Sequence, residues 1–346
     1  YQGVIPEFEG QVLVDMVAGP QLLALTRSIG GEPHGVTGWV SSDGVSWTSL
    51  GHLDDLANLS VMSLAATKDG YVAGGAGTPC EESGCAPAIY RSRDGIAWEP
   101  TDVPTLAAGG VTDITATAES LLAVGQTLEM EVAIWRSTDG QRWTRVAEDE
   151  PLFHPTHVLV HVHDIDMRGE PYAEVQIGSE THRLVVGSEV HTDAGTMRVN
   201  HVGPTTVGLE WADGSAVDAA PGDGGTQTMI GSPISIAAQG PRIVITGDIG
   251  VSRHPVPAVW YSADSGQTWS RSLADPWHQG SLTNVFIRGE HIVATGSGNG
   301  AAPLVWHSKW DTSAVEAAGI GSVLAFVDAL NSRDVNAVAA AMPTWR

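Results

Sequence analysis

The stretch Trp260-Tyr-Ser262-Ala-Asp264-Ser-Gly266-Gln-Thr-Trp269 decides the fold, because its pattern of an aromatic residue, Ser-x-Asp, Gly and Trp occurs four times in the chain. The other three copies are Trp39-Val-Ser41-Ser-Asp43-Gly44-Val-Ser-Trp47, Tyr90-Arg-Ser92-Arg-Asp94-Gly95-Ile-Ala-Trp98 and Trp135-Arg-Ser137-Thr-Asp139-Gly140-Gln-Arg-Trp143. A supersecondary unit that recurs at a spacing of roughly 40 to 50 residues is most often a propeller blade. The repetition therefore predicts an all-β fold built from similar sheets.

The residue types of the motif suit a tight turn between two strands. An Asp side chain accepts hydrogen bonds from backbone amides of its own turn, and Gly adopts a positive φ angle without steric cost. A Trp covers the hairpin with a large apolar surface. We therefore interpret the motif residues as structural and not as catalytic.

The four segments resemble the Asp-box, also called the BNR repeat, of sialidase-like β-propellers. The copy around Asp264 matches the family pattern Ser-x-Asp-x-Gly-x-Thr-Trp at each position, and the other three copies lack the residue between Asp and Gly. The resemblance covers roughly residues 10–150 and 230–312. It implies a propeller whose boxes lie at the outer strand turns of the blades, away from the central channel.

Strand-length apolar segments separated by turn residues divide the repeat region into blades. Successive motif aspartates are 51 residues apart (Asp43 to Asp94), then 45 (to Asp139) and then 125 (to Asp264). We expect blades one to three within residues 1–150 and the remaining blades within 226–312, about six four-stranded blades in all. The long interval indicates that residues 151–225 form an inserted small β module or a divergent blade.

The two ends of the chain carry different patterns. Val4-Ile-Pro-Glu-Phe8 is a short edge-like segment, and we expect residues 1–10 to supply the outer strand that the last blade lacks. At the other end the apolar spacing becomes helical, which predicts a short helical tail over residues 313–346. The segment from Phe326 to Val338 resembles the opening helices of an NTF2-like domain. The tail therefore either caps the propeller or begins a further, truncated domain.

The composition bounds the partner and the compartment. A formal net charge of −23, with two lysines in the chain, argues against nucleic acid as the partner, and no stretch is long and apolar enough for a membrane span. Cys80 and Cys85 are close enough in sequence for a small disulfide ring, with free thiols or a metal pair as the alternatives. A disulfide favours an extracellular, periplasmic or cell-surface location.

Aligning the blades places five polar residues at one position of the innermost strands: Asp15, Ser63, Asp113, Ser235 and Asn284. Innermost strands line the central channel of a propeller, so these residues are candidates for a ligand-binding ring at one mouth of the channel. The alternative is that each side chain satisfies the backbone of a neighbouring strand.

Asp15 and Asp113 are the acids of this set, and a glycoside hydrolase needs two carboxyl groups about 5 to 10 Å apart. They are therefore the candidate catalytic pair of a sialidase-like or other glycoside hydrolase. Sialidases also carry an Arg-Ile-Pro segment near the N-terminus, and the corresponding segment Gly3-Val-Ile-Pro6 lacks the arginine. This departure from the family pattern weakens the sialidase interpretation.

Seven of the thirteen histidines fall between positions 154 and 201. Alternate side chains of a strand share a face, which places His157, His161 and His163 together. Imidazoles two residues apart can share a zinc or copper ion, so these three are candidate metal ligands, with solvent-facing histidines as the alternative. Calcium in an acidic turn loop is a further alternative without an assigned site, and the fold itself requires no cofactor.

The sequence favours an exported or cell-surface recognition or scaffold protein that binds a protein or glycan partner through the channel mouth and the loops. A glycoside hydrolase that uses channel carboxylates is the alternative, and a metal-binding, histidine-rich β module is the second alternative. Whether the chain is an enzyme stays open, because a fold alone does not specify a function.

Overall fold

The computed structural model describes residues 6–29, 35–78, 80, 85–104, 109–127, 129–192, 195–211, 216–250, 256–273, 280–298 and 303–310 of the 346-residue chain. Apart from three single turns of 3-10 helix, the regular structure of these residues is β-strand. The prediction of an all-β fold is confirmed. The predicted helical tail, residues 313–346, lies outside the described residues.

The first three sheets each contain four antiparallel strands that follow one another along the chain. The first sheet consists of β1 (Gln11–Ala18), β2 (Leu22–Ser28), β3 (Thr37–Ser41) and β4 (Thr48–His52). The second consists of β5 (Leu59–Thr67), β6 (Gly70–Gly77), β7 (Pro87–Ser92) and β8 (Glu99–Pro100). The third consists of β9 (Gly109–Ala116), β10 (Leu121–Thr127), β11 (Val132–Ser137) and β12 (Thr144–Val146). Such consecutive four-stranded meanders are the blades of a propeller.

The described residues after the third sheet form fourteen further strands. They are β13 (Thr156–Asp166), β14 (Tyr172–Ile177), β15 (Glu180–Leu184), β16 (Glu189–Thr192), β17 (Gly195–Val202), β18 (Val207–Trp211), β19 (Ala216–Ala219), β20 (Gly224–Gln239), β21 (Arg242–Gly250), β22 (Val256–Ser262), β23 (Ser270–Leu273), β24 (Gly280–Arg288), β25 (His291–Gly298) and β26 (Pro303–Lys309). One sheet has the order β15-β14-β13-β20-β21-β22-β23, and two others contain β16 to β19 and β24 to β26. The fold is therefore the predicted β-propeller with an inserted small β module.

The chain divides into two compact units. The first contains Tyr1–Phe153, Ser232–Ile245 and Tyr261–Ser270, and so includes the first three sheets and the second half of β20. The second contains His154–Gly231, Thr246–Trp260 and Arg271–Arg346, and so includes β13 to β19 and β24 to β26. In the second unit, the beginning of β20 pairs with β13.

The core of the first unit lies between successive sheets. Leu64 and Ala73 of the second sheet belong to a buried cluster shared with the first sheet. Their sequence neighbours Ala65 and Val72 belong to a cluster shared with the third sheet. Because successive side chains of a strand point to opposite faces, the second sheet is buried on both sides. This explains why β6, a central strand of that sheet, is continuously apolar and not alternating.

A β-bulge interrupts the first strand of each of these sheets, and also β24 in the second unit. The register shifts between Leu13 and Asp15, between Val61 and Ser63, between Val111 and Asp113, and between Leu282 and Asn284. A bulge inserts one unpaired residue, bends the strand and strengthens its twist. The same irregularity at the same place shows that these four strands are structurally equivalent.

A glycine lies opposite three of the four bulges. Gly75 pairs with Val61, Gly125 with Val111 and Gly296 with Leu282. A Cβ atom at any of these glycines would overlap a backbone carbonyl oxygen, which at Gly125 is that of Gly110. The bulged partner strand comes too close for a side chain, so the second strand of each of these three sheets has Gly at this position.

The four Ser-x-Asp turns have the same hydrogen bonds. In the first sheet, Ser41 Oγ accepts the Gly44 N–H at 2.8 Å, and Asp43 Oδ1 accepts the amides of Val45 and Ser46 at 2.9 and 2.8 Å. The turns around Asp94, Asp139 and Asp264 repeat these contacts. The four motif glycines have positive φ angles and the four motif tryptophans are buried. These contacts account for the spacing of the motif.

The N-terminal segment lies against the first sheet. Pro6–Phe8 is a 3-10 helix and not a strand, and the Phe8 ring contacts the rings of Trp39 and Trp47 at centroid distances of 5.1 and 5.4 Å. Val4 and Ile5, the other residues of the expected outer strand, lie outside the described residues.

We predict that Gly125→Ala lowers the free energy of unfolding by about 2 to 4 kcal/mol, because the new methyl group would overlap the Gly110 carbonyl oxygen. Chemical denaturation followed by tryptophan fluorescence measures this change. Gly110→Ala is the matched control, since a Cβ there meets the Ala76 Cβ at 3.5 Å, an ordinary contact. Equal losses in the two variants would contradict the steric role of Gly125.

A second prediction concerns pH. Backbone hydrogen bonds from Ser46 and Val45 lower the pKa of Asp43 from 3.8 to about 2. A pKa lowered by folding means that the carboxylate contributes stability above pH 3.8, and that this contribution disappears as the pH falls through about 2. Asp43→Ala should therefore destabilise the protein at neutral pH, and its difference from the wild type should shrink below about pH 4. Urea denaturation at several pH values measures this difference in the free energy of unfolding, and Asp69→Ala is the exposed control. If the turn hydrogen bonds contributed nothing, the difference between Asp43→Ala and the wild type would not change with pH.

Candidate functional site

Four of the five predicted inner-strand residues lie together in the first unit. Asp15, Ser63 and Asp113 each follow the bulge in the first strand of their sheet. Ser235 lies in β20, and its hydroxyl donates a hydrogen bond to Asp113 Oδ2 at 2.8 Å. We call Asp15, Ser63, Asp113 and Ser235 the inner-strand network.

One hydrogen bond repeats from sheet to sheet through this network. In each case the side chain of one network residue accepts a hydrogen bond from a backbone amide of the next sheet. That amide belongs to the residue that directly follows the next network residue in the sequence. The three bonds are Leu64 N–H to Asp15 Oδ2 (2.6 Å), Ile114 N–H to Ser63 Oγ (3.1 Å) and Ile236 N–H to Asp113 Oδ2 (2.8 Å). These side chains therefore satisfy the backbone of a neighbouring strand, which is the alternative that the sequence left open.

The Asp113 carboxylate accepts four hydrogen bonds. Oδ1 accepts from the Ser63 hydroxyl at 2.7 Å and from the Ile114 amide at 2.8 Å. Oδ2 accepts from the Ser235 hydroxyl and the Ile236 amide, both at 2.8 Å. A carboxylate offers about four acceptor positions, so the donors of the protein itself use all of them. Burial raises the pKa of Asp113, and the hydrogen bonds act in the opposite direction.

Asp15 is half-buried and accepts hydrogen bonds from two backbone amides. Its Oδ1 accepts the Met16 N–H at 2.7 Å, and its Oδ2 accepts the Leu64 N–H. Burial is the largest cause of its raised pKa, which the amide hydrogen bonds oppose and the negative charge of Asp113 raises further. Both acids therefore hold a proton more tightly than a free Asp, and Asp15 is the more accessible of the two.

Asn284 occupies the equivalent position in β24 but belongs to the second unit. It is exposed, and its Nδ2 donates to Thr283 Oγ1 at 3.1 Å. The sequence also missed two equivalent positions in the inserted module. Strands β13 and β17 carry bulges of the same kind, followed by Asp164 and His201. A bulge is difficult to recognise in a single sequence, because it breaks the alternation that identifies a strand.

Exposed apolar side chains flank the inner-strand network. Leu13, Met16 and Met62 are 46%, 43% and 51% exposed, and they are close sequence neighbours of Asp15 and Ser63. Groups of large exposed apolar side chains mark binding surfaces, and methionine adapts its shape to different partners. Exposed apolar side chains thus lie within two residues of Asp15 and Ser63 in the sequence.

The predicted metal ligands of the module lie on β13. The rings of His161 and His163 are in edge-to-face contact, with centroids 4.8 Å apart, and His157 is exposed. Within the described part of the chain, no three His, Cys, Asp or Glu side chains form a group that could hold a metal ion. Metal binding by these histidines stays a prediction.

Cys80 and Cys85 form the expected disulfide, with Cα atoms 4.2 Å apart. It closes a small ring after β6 in the second sheet. Among the described residues, no helix has the length and apolarity that crossing a membrane would need.

No protein-family model matches the chain, and no curated protein matches it. Solved structures similar to it include a glycosyl hydrolase from Bacteroides ovatus, with 11% identity, a TM-score of 0.37 and coverage of 90% of this chain and 85% of that one. YCF48 bound to D1 peptide has 13% identity, a TM-score of 0.30 and coverage of 89% and 94%. The WD40 β-propeller domain of Doa1 has 13% identity, a TM-score of 0.25 and coverage of 88% and 94%.

We predict that Asp113→Asn lowers the free energy of unfolding by about 1 to 3 kcal/mol, because an amide NH2 cannot accept the two bonds that one carboxylate oxygen now accepts. Asp69→Asn is the control, since Asp69 is an exposed turn residue whose side chain is 79% exposed. Denaturant unfolding of both variants measures the difference. Unchanged stability of Asp113→Asn would mean that the network does not hold the sheets together.

Proposed function

We propose that the chain is a recognition or scaffold protein of the Asp-box type, exported or displayed at the cell surface, which binds a protein or glycan partner. The observation that carries the proposal is the saturation of Asp113 by four hydrogen bonds from the protein itself. A general acid or base must exchange a proton with a substrate within hydrogen-bond reach. A carboxylate whose acceptor positions are all in use is suited to holding strands and not to this exchange.

The surroundings of the network support binding. Leu13, Met16 and Met62 offer exposed apolar area beside the partly exposed Asp15 carboxyl. An apolar patch with a few fixed polar groups is the usual composition of a recognition surface. We place the partner on this surface, at the mouth of the channel.

Charge and redox chemistry support the type of partner and the location. The net charge of −23 disfavours polyanions and leaves proteins and neutral or basic glycoconjugates as partners. The disulfide between Cys80 and Cys85 favours an oxidising compartment outside the cytosol.

A glycoside hydrolase is the second candidate, favoured by one observation. The pKa of Asp15 is raised by burial and by the negative charge of Asp113, and a raised pKa suits the general acid of a glycosidase. In this candidate Asp15 would protonate the leaving group, and Asp113 would have to give up hydrogen bonds to act as the second carboxylate.

The two candidates are separated by a glycan array and a peptide array probed with the folded chain, followed by a hydrolysis assay on every glycan that binds. We expect binding without product release, weakened at least about tenfold by Met62→Glu, because a charge within the apolar surface costs more than 1.4 kcal/mol to desolvate. Met130→Glu is the matched control, since Met130 is 48% exposed and lies in the turn between β10 and β11.

Two outcomes would contradict the recognition proposal. If Met62→Glu and Met130→Glu lose binding equally, the partner does not bind specifically at the surface that contains Met62. Release of sugar that disappears in Asp15→Asn, while the variant still binds the glycan, would establish the hydrolase instead.

A further inference from the structure

Two histidines on the last sheet of the second unit lie in direct contact. His291 Nδ1 and His307 Nε2 are 3.1 Å apart, and the two rings are stacked with centroids 5.4 Å apart. This pair lies outside the inner-strand network and outside the histidines of the module. Its position had no signal in the sequence, because the register of β26 depends on the connection after β25.

The strand register explains why the two side chains meet. Val293 pairs with His307, and His291 lies two residues from Val293 in β25. Alternate residues of a strand share a face, so His291 and His307 are diagonal neighbours on the same face of the sheet. The backbone of two paired strands therefore holds both imidazoles, and neither depends on a loop.

We infer that His291 and His307 form a binding site for a late first-row divalent cation, Cu²⁺ or Zn²⁺. Two nitrogens on one metal ion are about 2.8 Å apart when they are cis in a square plane and about 3.3 Å apart in a tetrahedron. The observed separation of 3.1 Å lies between these values. Coordination would replace the hydrogen bond between the two nitrogens by two metal–nitrogen bonds.

Metal binding by the neutral pair would move one hydrogen. One ring nitrogen of the contact carries the shared hydrogen, and metal binding requires that this ring move its hydrogen to its other nitrogen. No net proton is then released. Burial is the largest cause that lowers the pKa of His307, and His291 and Lys309 lower it further.

The surroundings define the type of site. Among the described residues no group of three potential ligands occurs, so water or a donor of a bound partner would fill the remaining positions. Two cationic residues are paired with His291 across the strands, Arg288 of β24 and Lys309 of β26. Their charges weaken binding of a cation, and Lys309→Gln should therefore strengthen it.

The test is titration of the purified full chain with Cu²⁺ and, separately, with Zn²⁺, by calorimetry and by electron paramagnetic resonance of the copper form. We expect the wild type to bind one equivalent through two imidazole nitrogens. His291→Gln and His307→Gln should each lose this equivalent or weaken it at least about tenfold, because a two-ligand chelate becomes a single contact. His163→Gln is the matched control. If this variant loses a further equivalent of metal, that equivalent binds to the histidines of the module, and the site at His291 and His307 is unaffected.

The proposal is overturned if both variants bind the same number of equivalents with the affinity of the wild type, or if the copper spectrum shows no more than one nitrogen ligand. Thermal unfolding without metal establishes that each variant is folded. Lys309→Gln tests the site without removing a ligand, because it removes a positive charge beside the proposed ion. Weaker metal binding in this variant would also contradict the proposal.

Discussion

The structure of the first unit depends on how the amide that follows each bulge finds an acceptor. A bulge removes one residue from the ladder of its own sheet, and a buried amide without a partner costs as much as a lost hydrogen bond. At Leu64 and Ile114 the acceptor is a side-chain oxygen of the preceding sheet, and the Ile236 amide of β20 has an acceptor of the same kind. The defect that bends each strand is thus also the point at which the sheets are joined.

This constraint limits the residues that can follow the bulge. Asp and Ser reach a neighbouring backbone with a short side chain, and Asp offers two oxygens, one for its own strand and one for the next. Asp113 uses both in this way, and Ser63 and Ser235 donate to it from either side. Opposite the bulge the close approach of the backbone requires Gly125. In the third sheet, the bulge, the acid that follows it and the glycine opposite it therefore lie at one level.

Much of the fold could be predicted from the sequence, because the repeated Ser-x-Asp turns are local structures. Their hydrogen bonds join residues two to four positions apart, so spacing alone identifies them. The equivalence of Asp15, Ser63 and Asp113 also followed from aligning the repeats. Their hydrogen-bond partners did not, since Ser63 and Asp113 are 50 residues apart and meet only when the sheets are packed. The contact of His291 with His307 was unpredictable for a different reason, since it depends on the register between the paired strands β25 and β26.

The saturation of Asp113 also bears on how the surface near it works. A group that holds two sheets cannot move without breaking bonds to both, so the polar part of the site is rigid. The adaptable part must be the apolar side chains, of which Met16 and Met62 are the most flexible. The proposed recognition of a partner would use such a combination of fixed acceptors and adaptable side chains, whereas glycoside hydrolysis would need a carboxylate free to exchange its proton.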